Sequence, residues 1–210
     1  LDLYVTNENG EKENLYRNNG GGSFEKMTDL IITTDGFNTM SSSWGDIDND
    51  GDLDLFLAND GSKNQLFRNE GNFVFTRVLT TDVSKVNAKS FSSAWADIDN
   101  DGDLDLFVTN AFQNGQRLKN NLYLNDGTGH LTEVTNEVVV MDEGWSYGCA
   151  FGDYDNDGFQ DLAVATTRFG NVDEADYLYH NNGNSNHWLM VSLEGNVSNK
   201  SAKEEKIRVK

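Results

Sequence analysis

The chain of 210 residues carries 35 Asp and Glu against 16 Lys and Arg, a formal charge of -19 and a pI near 4.3. Such a field repels nucleic acid and anionic lipid and favours metal cations or basic partners. A third of the chain is Gly, Asn or Asp, which excludes a protein of long helices, while 37% apolar and 11% aromatic residues suffice for a core and exclude wholesale disorder.

From its first residues the sequence repeats. Asp2-Leu3-Tyr4-Val5-Thr6-Asn7 returns as Asp54-Leu55-Phe56-Leu57-Ala58-Asn59, as Asp105-Leu106-Phe107-Val108-Thr109-Asn110 and as Asp161-Leu162-Ala163-Val164-Ala165-Thr166. A second element follows each copy: Leu15-Tyr16-Arg17-Asn18, Leu66-Phe67-Arg68-Asn69, Leu122-Tyr123-Leu124-Asn125 and Leu178-Tyr179-His180-Asn181, each with a Gly two residues on, at Gly20, Gly71, Gly127 and Gly183. The leucines are 51, 56 and 56 residues apart, so one unit is about 54 residues long.

Inside a unit, short apolar runs alternate with Gly, Asn and Asp clusters, the signature of strands and turns. In the third unit the expected strands are Phe91 to Ala96, Leu104 to Thr109, Asn121 to Leu124 and His130 to Val134. Four short antiparallel strands per unit, stacked radially, make a β-propeller blade, so the fold class is all-β; an irregular all-β solenoid is the alternative. The units divide the chain into a partial blade at 1–34, blades at 35–86, 87–142 and 143–186, and a different segment at 187–210. Because the chain starts in mid-unit and propellers close with about 4 to 8 blades, the expectation is an incomplete propeller, a fragment of a longer protein.

Ahead of the repeated strand stands the sharpest pattern: Asp46-x-Asp48-x-Asp50-Gly51-x-x-Asp54, Asp97-x-Asp99-x-Asp101-Gly102-x-x-Asp105 and Asp153-x-Asp155-x-Asp157-Gly158-x-x-Asp161. Carboxylates at positions 1, 3, 5 and 9 can converge on one hard cation, Gly at position 6 permits the turn, and the carbonyl at position 7, from Asp52, Asp103 or Phe159, adds an oxygen. An all-oxygen set selects calcium over zinc or copper, giving three expected calcium sites. An EF-hand is excluded, because position 12 is Leu57, Val108 or Val164 and a strand follows. Acidic turns without a metal are the bland alternative, opposed by the repulsion among so many like charges.

At these loops the units resemble FG-GAP repeats, also called VCBS-type repeats, found in integrin α-subunit propellers and many secreted bacterial proteins. The FG-like position before each loop reads Trp44-Gly45, Trp95-Ala96 and Phe151-Gly152, departing at Ala96. Asp2 matches position 9 of a further loop. The stretch Asn184-Ser185-Asn186-His187-Trp188-Leu189-Met190-Val191-Ser192-Leu193-Glu194-Gly195 is similar to the opening of the ASPIC/UnbV domain, which follows such repeats in bacterial surface proteins and in the cartilage acidic protein family; Lys203-Glu204-Glu205 stands where that family has an Ile-Gly-Ala-like stretch. The resemblance implies an extracellular or cell-surface calcium-binding propeller for recognition, adhesion or scaffolding, with a protein or glycan ligand or neighbouring subunits as partners. Its alternatives are a calcium-dependent propeller enzyme of the phosphatase or polysaccharide lyase class, disfavoured because the bases do not recur in register, and a subunit of an extracellular filament or lattice.

Other features have ordinary readings. Cys149 has no intrachain partner and no His or Lys motif around it. Val138-Val139-Val140-Met141 is too short to span a bilayer, and Leu1 to Thr6 lacks the basic and apolar regions of a signal peptide. His130, His180 and His187 show no metal-ligand spacing, Trp44, Trp95 and Phe151 read as core between blades, and Lys200 to Lys210 as a strand edge or solvated end. Gly144-x-Ser146-x-Gly148 matches a nucleophile elbow without the strand, turn and helix that motif needs. An active-serine probe is therefore expected to leave Ser146 unlabelled; labelling abolished by Ser146→Ala would overturn this reading.

Overall fold

The computed structural model describes residues 2–34, 36–85, 87–167 and 174–188. The first unit is an antiparallel sheet of β1 (Leu3–Val5), β2 (Asn14–Gly20) and β3 (Ser23–Met27). The second comprises β4 (Thr39–Gly45), β5 (Asp54–Lys63), β6 (Gln65–Asn69) and β7 (Phe75–Arg77). The third has β8 (Asn87–Ala96), β9 (Asp105–Asn110), a small hairpin of β10 (Phe112–Gln113) and β11 (Gln116–Lys119), then β12 (Asn121–Asn125) and β13 (Leu131–Val134). In the fourth, β14 (Glu143–Gly144) pairs back onto β11, and β15 (Ser146–Gly152), β16 (Asp161–Thr166) and β17 (Tyr177–Tyr179) form its sheet. Helical turns among the described residues are short: α1 (Ile31–Thr34), α2 (Val138–Met141) and a 3-10 turn at Asp82–Lys85.

The all-β propeller architecture holds. Units two and three are four-stranded blades in the order β4-β5-β6-β7 and β8-β9-β12-β13, joined because β5 runs on to Lys63 and its end pairs with the start of β8, Asp60 opposite Lys89. The four strands expected in the third unit are present, with the first starting four residues earlier, at Asn87, to make this seam. The ASPIC/UnbV-like stretch from Leu189 onward and the Lys200 to Lys210 tail lie outside the described residues.

The second strand of each blade explains the stacking. All six residues of β9 and the first six of β5 are buried, because both faces of these strands are covered, which is why they read as unbroken apolar runs. Side chains alternate across a strand, so successive residues serve different interfaces. Leu55 and Leu57 pack with Leu15, Ile32 and Phe67 toward unit one, whereas Phe56 and Ala58 pack with Leu106, Val108 and Tyr123 toward unit three. Phe107, from the other face of β9, joins Leu122, Leu162 and Val164 against unit four.

The recurring aromatics lie between blades, as expected, and meet their partners edge-to-face: Trp44 on Tyr4, Trp95 on Phe56 and Phe151 on Phe107, with centroids 5.9, 6.4 and 6.4 Å apart. Trp95 presses so close to β4 that a Cβ at Gly45 would lie 3.0 Å from its ring. The inner strands β4, β8 and β15 approach through small side chains, with Ser43 Oγ 2.7 Å from Ser93 Oγ and Cys149 Sγ 3.9 Å from Ser92 Oγ.

The β10–β11 hairpin is an insertion the repeat comparison did not reveal, and it accounts for the longer spacing into the third unit. Asn114-Gly115, with φ of 52° and 77°, makes its two-residue turn, and Phe112 stacks on Trp145 at 4.4 Å.

The glycine that closes the second, third and fourth repeats has a packing reason that Gly20, where a Cβ would meet nothing within 4 Å, lacks. At Gly71, Gly127 and Gly183 φ is positive, and the side chain at loop position 7 lies over the missing Cβ: Asp52, Asp103 and Phe159 come within 3.1, 2.6 and 2.6 Å of where it would be. Gly127→Ala is therefore expected to cost about 2–3 kcal/mol, against about 1 kcal/mol for Gly115→Ala, whose φ of +77° is similar but whose Cβ would meet nothing within 4 Å. Denaturant melts of the two variants check the difference; equal losses would mean that the contact with Asp103 costs nothing.

Candidate metal centre

The aspartate loops fold on themselves through their own carboxylates. Asp46 accepts hydrogen bonds from the amides of Asp50 and Gly51 at 3.1 and 3.0 Å, and Asp50 accepts one from Asp52 N at 2.8 Å. Asp97 and Asp101 repeat this on Asp101, Gly102 and Asp103, and Asp153 and Asp157 on Asp157, Gly158 and Phe159. The turn needs left-handed backbone at position 4, where Asn49, Asn100 and Asn156 have φ of 58°, 56° and 63°; Asn tolerates that region better than most side chains.

This turn gathers the carboxylates at positions 1, 3 and 5. Asp46, Asp48 and Asp50 each offer an oxygen within 4.8 Å of the others, as do Asp97, Asp99 and Asp101, and Asp153, Asp155 and Asp157. The remaining expected ligands are placed differently. Asp52 and Asp103 turn their carboxylates over Gly71 and Gly127, and Asp103 also accepts a hydrogen bond from Asn49 Nδ2 at 2.7 Å. Asp54, Asp105 and Asp161 are buried and stand outside these three groups, and Asp161 meets Asp155 and His180 in a separate one.

Those three position-9 carboxylates tie each loop to its blade. Asp54 accepts from Ile47 N at 2.9 Å and Asn69 N at 2.7 Å, Asp105 from Ile98 N at 3.1 Å and Asn125 N at 3.0 Å, and Asp161 from Tyr154 N at 3.1 Å and Asn181 N at 2.8 Å. Asp2 accepts from Asn18 N at 2.8 Å, the same contact in the first unit.

Their electrostatics differ. Burial pushes Asp54 up to about 6 and Asp105 up to about 7, against the pull of their two N–H donors. Burial also works upward on Asp161, but the amides of Asn181 and Tyr154 together with His180 outweigh it and hold this carboxyl below the usual range. Asp99 is raised by burial and by the negative charge of Asp101.

His180 is a contact that spacing arguments missed. Its Nδ1 lies 3.1 Å from Asp161 Oδ1 and 3.6 Å from Asp155 Oδ2, beside the third loop. Its repeat position, shared with Arg68 and Leu124, was the signal: Arg68 Nε lies 3.0 Å from Asp48 Oδ2 in the first loop.

Neighbouring loops and blades are joined. Asn100 Nδ2 donates to Gly158 O of the following loop at 3.1 Å, while Asn125 Nδ2 donates to Ile47 O at 2.8 Å and Asn181 Nδ2 to Ile98 O at 2.7 Å, so the Asn of the third and fourth repeats holds the loop of the preceding blade.

The donor set fits a hard divalent cation. Within the three aspartate groups every donor is a carboxylate oxygen, His180 joining only Asp155 and Asp161 beside the third loop, and Asp48 Oδ1 is buried with no hydrogen-bond partner among the described residues, the state a ligating oxygen takes without its ion. Elsewhere the decoys stay ordinary. Ser146 is buried on β15, its Oγ 3.2 Å from Asn120 Nδ2, with no strand-turn-helix elbow around it. Cys149 is half-buried, and burial pushes its thiol up to about 11, far from a reactive thiolate. His130 and His187 are exposed.

A family model described as FG-GAP-like repeat matches the chain three times, at residues 1–57, 46–108 and 110–164. Among curated proteins the chain is similar to Integrin alpha-4 of Xenopus laevis, 34% identical over 94 residues, or 40% of this chain; the match spans 9% of that relative's length.

The raised carboxyls set a pH dependence for the cation-free protein. An Asp with an unfolded value near 3.9 and a folded value of about 7 binds more protons folded than unfolded across that interval, so stability falls as pH rises from about 4 to 7 and levels off above. Metal-stripped protein is expected to melt at least a few degrees lower at pH 7.5 than at pH 5. Asp105→Asn flattens part of this slope; a slope unchanged in the variant would show that Asp105 is not its source.

Proposed function

The chain belongs to the FG-GAP-like repeat family, and we propose that it is a calcium-loaded, extracellular or cell-surface propeller module for recognition or adhesion, without catalysis of its own. The observation that carries this reading is the threefold gathering of carboxylates within 4.8 Å, one of them with a buried oxygen that has no partner among the described residues. Asp46, Asp48 and Asp50, Asp97, Asp99 and Asp101, and Asp153, Asp155 and Asp157 would hold the ions. The carbonyls of Asp52, Asp103 and Phe159 and the carboxylates of Asp54, Asp105 and Asp161 complete the proposed sets. Bound calcium supplies charge neutralisation.

The electrostatic gain is concentrated where it is needed. The loops hold 14 of the 35 acids, and three dications would move the formal charge from -19 by +6 to -13. At free calcium about 100 times the dissociation constant, each site adds about 2.7 kcal/mol, and three independent sites about 8 kcal/mol, comparable with the whole stability of a typical domain at about 5–15 kcal/mol. Resting cytosolic calcium would leave sensor-strength loops mostly empty, which favours an extracellular home. The similarity to an integrin chain and the repulsion of nucleic acid by the acidic surface favour a protein or glycan partner. Among the described residues no helix is long and apolar enough to cross a membrane.

Thermal melts in excess calcium, excess magnesium and chelator test the reading. Calcium is expected to raise the midpoint well above chelator. Magnesium, which keeps its waters and demands a tighter octahedron, should do far less, and Asp101→Ala should remove about a third of the calcium gain. A midpoint indifferent to all three conditions would reduce the loops to acidic turns.

A further inference from the structure

The first two loops are identical in sequence over nine residues, Asp46 to Asp54 and Asp97 to Asp105, both reading DIDNDGDLD. They also share the hydrogen bonds of the turn and of the position-9 carboxylate. Their surroundings differ in neutral contacts, Asn184 and Asn186 donating to Asp99 O beside the second loop, and in the charge at one repeat position. In β6, one step beyond the Leu55–Phe67 pair, Arg68 stands opposite Asp54; in β12, one step beyond the Leu106–Tyr123 pair, Leu124 stands opposite Asp105. Arg68 brings its Nε to 3.0 Å from Asp48 Oδ2, a charge contact rather than an aligned hydrogen bond. Leu124, which carries no charge, lines with Asp99, Ile98 and Leu122 a cavity of about 670 Å³.

The guanidinium is held in place. Its Nη2 donates to Thr128 O at 2.9 Å in the next blade, and Gly129 makes room for it, since a Cβ there would lie 3.1 Å from Nη2. With its side chain 35% exposed, solvent screens its field only in part.

We propose that Arg68 is an internal counter-cation that weakens divalent-cation binding at the first loop, so that two loops of identical sequence bind calcium with different affinities, the Leu124-facing loop more tightly. This rests on the calcium reading above. Before an ion arrives, Arg68 already neutralises part of the charge on Asp48, so the ion gains less attraction there and meets an added repulsion from the fixed positive charge. At the second loop the repulsion among Asp97, Asp99 and Asp101 is relieved by the cation alone. The first loop would then be the one that holds its shape at low calcium, and the second the one that senses it.

Amide NMR separates the two sites. Gly51 N and Gly102 N each bond a position-1 carboxylate at 3.0 Å, so each reports its own loop. In the ¹⁵N-labelled, metal-stripped full chain titrated with calcium chloride, the Gly102 signal is expected to reach half-change at about tenfold lower calcium than Gly51. Arg68→Leu should bring Gly51 into the range of Gly102, Arg68→Lys should keep most of the gap, and Leu124→Arg should move Gly102 toward Gly51. Coincident titrations in the parent chain, or a gap that survives Arg68→Leu, would overturn the proposal. If Arg68→Leu does not fold, Leu124→Arg decides the matter: a Gly102 midpoint unmoved by the new charge overturns it as well. Signals that do not move at all would sink the calcium reading and the proposal together, a pattern distinct from two signals moving as one.

Discussion

A buried carboxylate at the foot of each loop is the constraint on which the blades depend. Asp54, Asp105 and Asp161 each accept a backbone N–H from the loop that precedes them and another from the Asn at or just past the end of the following apolar strand. Three segments are thereby fixed by one side chain. Burying an ionised carboxylate is costly, and in the first two loops a pair of amide donors does not offset that cost, so Asp54 and Asp105 sit well above the usual carboxylate range. In the third loop His180 completes the compensation, and Asp161 falls below that range. The acidic turn beside the latch adds to that cost, Asp48 and Asp50 pushing Asp54 further up and Asp99 and Asp101 doing the same to Asp105.

The loops also belong to the seams between blades. Each blade offers one face of its second strand to the unit before and the other to the unit after, so its core is shared rather than enclosed. The polar side of the same seam runs through the loops: Asn125 grips Ile47 O, Asn181 grips Ile98 O, and Asn49 and Asn100 reach from one loop into the next. Charge gathered in one loop is therefore felt by its neighbour. In repeat proteins, where stability is a sum of units and nearest-neighbour interfaces, a loop at the interface contributes to both terms.

Much of this was legible in the sequence because repetition exposes it. Unbroken apolar runs marked strands covered on both faces, the aspartate spacing marked the turn, and Trp44, Trp95 and Phe151 marked the blade interfaces. What stayed hidden depends on three-dimensional approach. Asp54 and Asp105 have the residue type of a ligand, and their spacing gives no sign that both oxygens are engaged by backbone amides. His180 looked ordinary because its partners, Asp155 and Asp161, lie about 20 residues away and meet it only through strand pairing. The β10–β11 hairpin carried its Asn114-Gly115 signal in plain view, but an insertion has no repeat partner to draw attention to it.

The central claim is that the three carboxylate groups are cation sites. It is tested most directly by anomalous diffraction from crystals grown in calcium and then exchanged into a lanthanide, which takes the same oxygen-rich sites with a far stronger anomalous signal. The account predicts three peaks, one against Asp46, Asp48 and Asp50, one against Asp97, Asp99 and Asp101, and one against Asp153, Asp155 and Asp157. Maps without anomalous density at any of these loops, in crystals whose carboxylates are ordered, would contradict it.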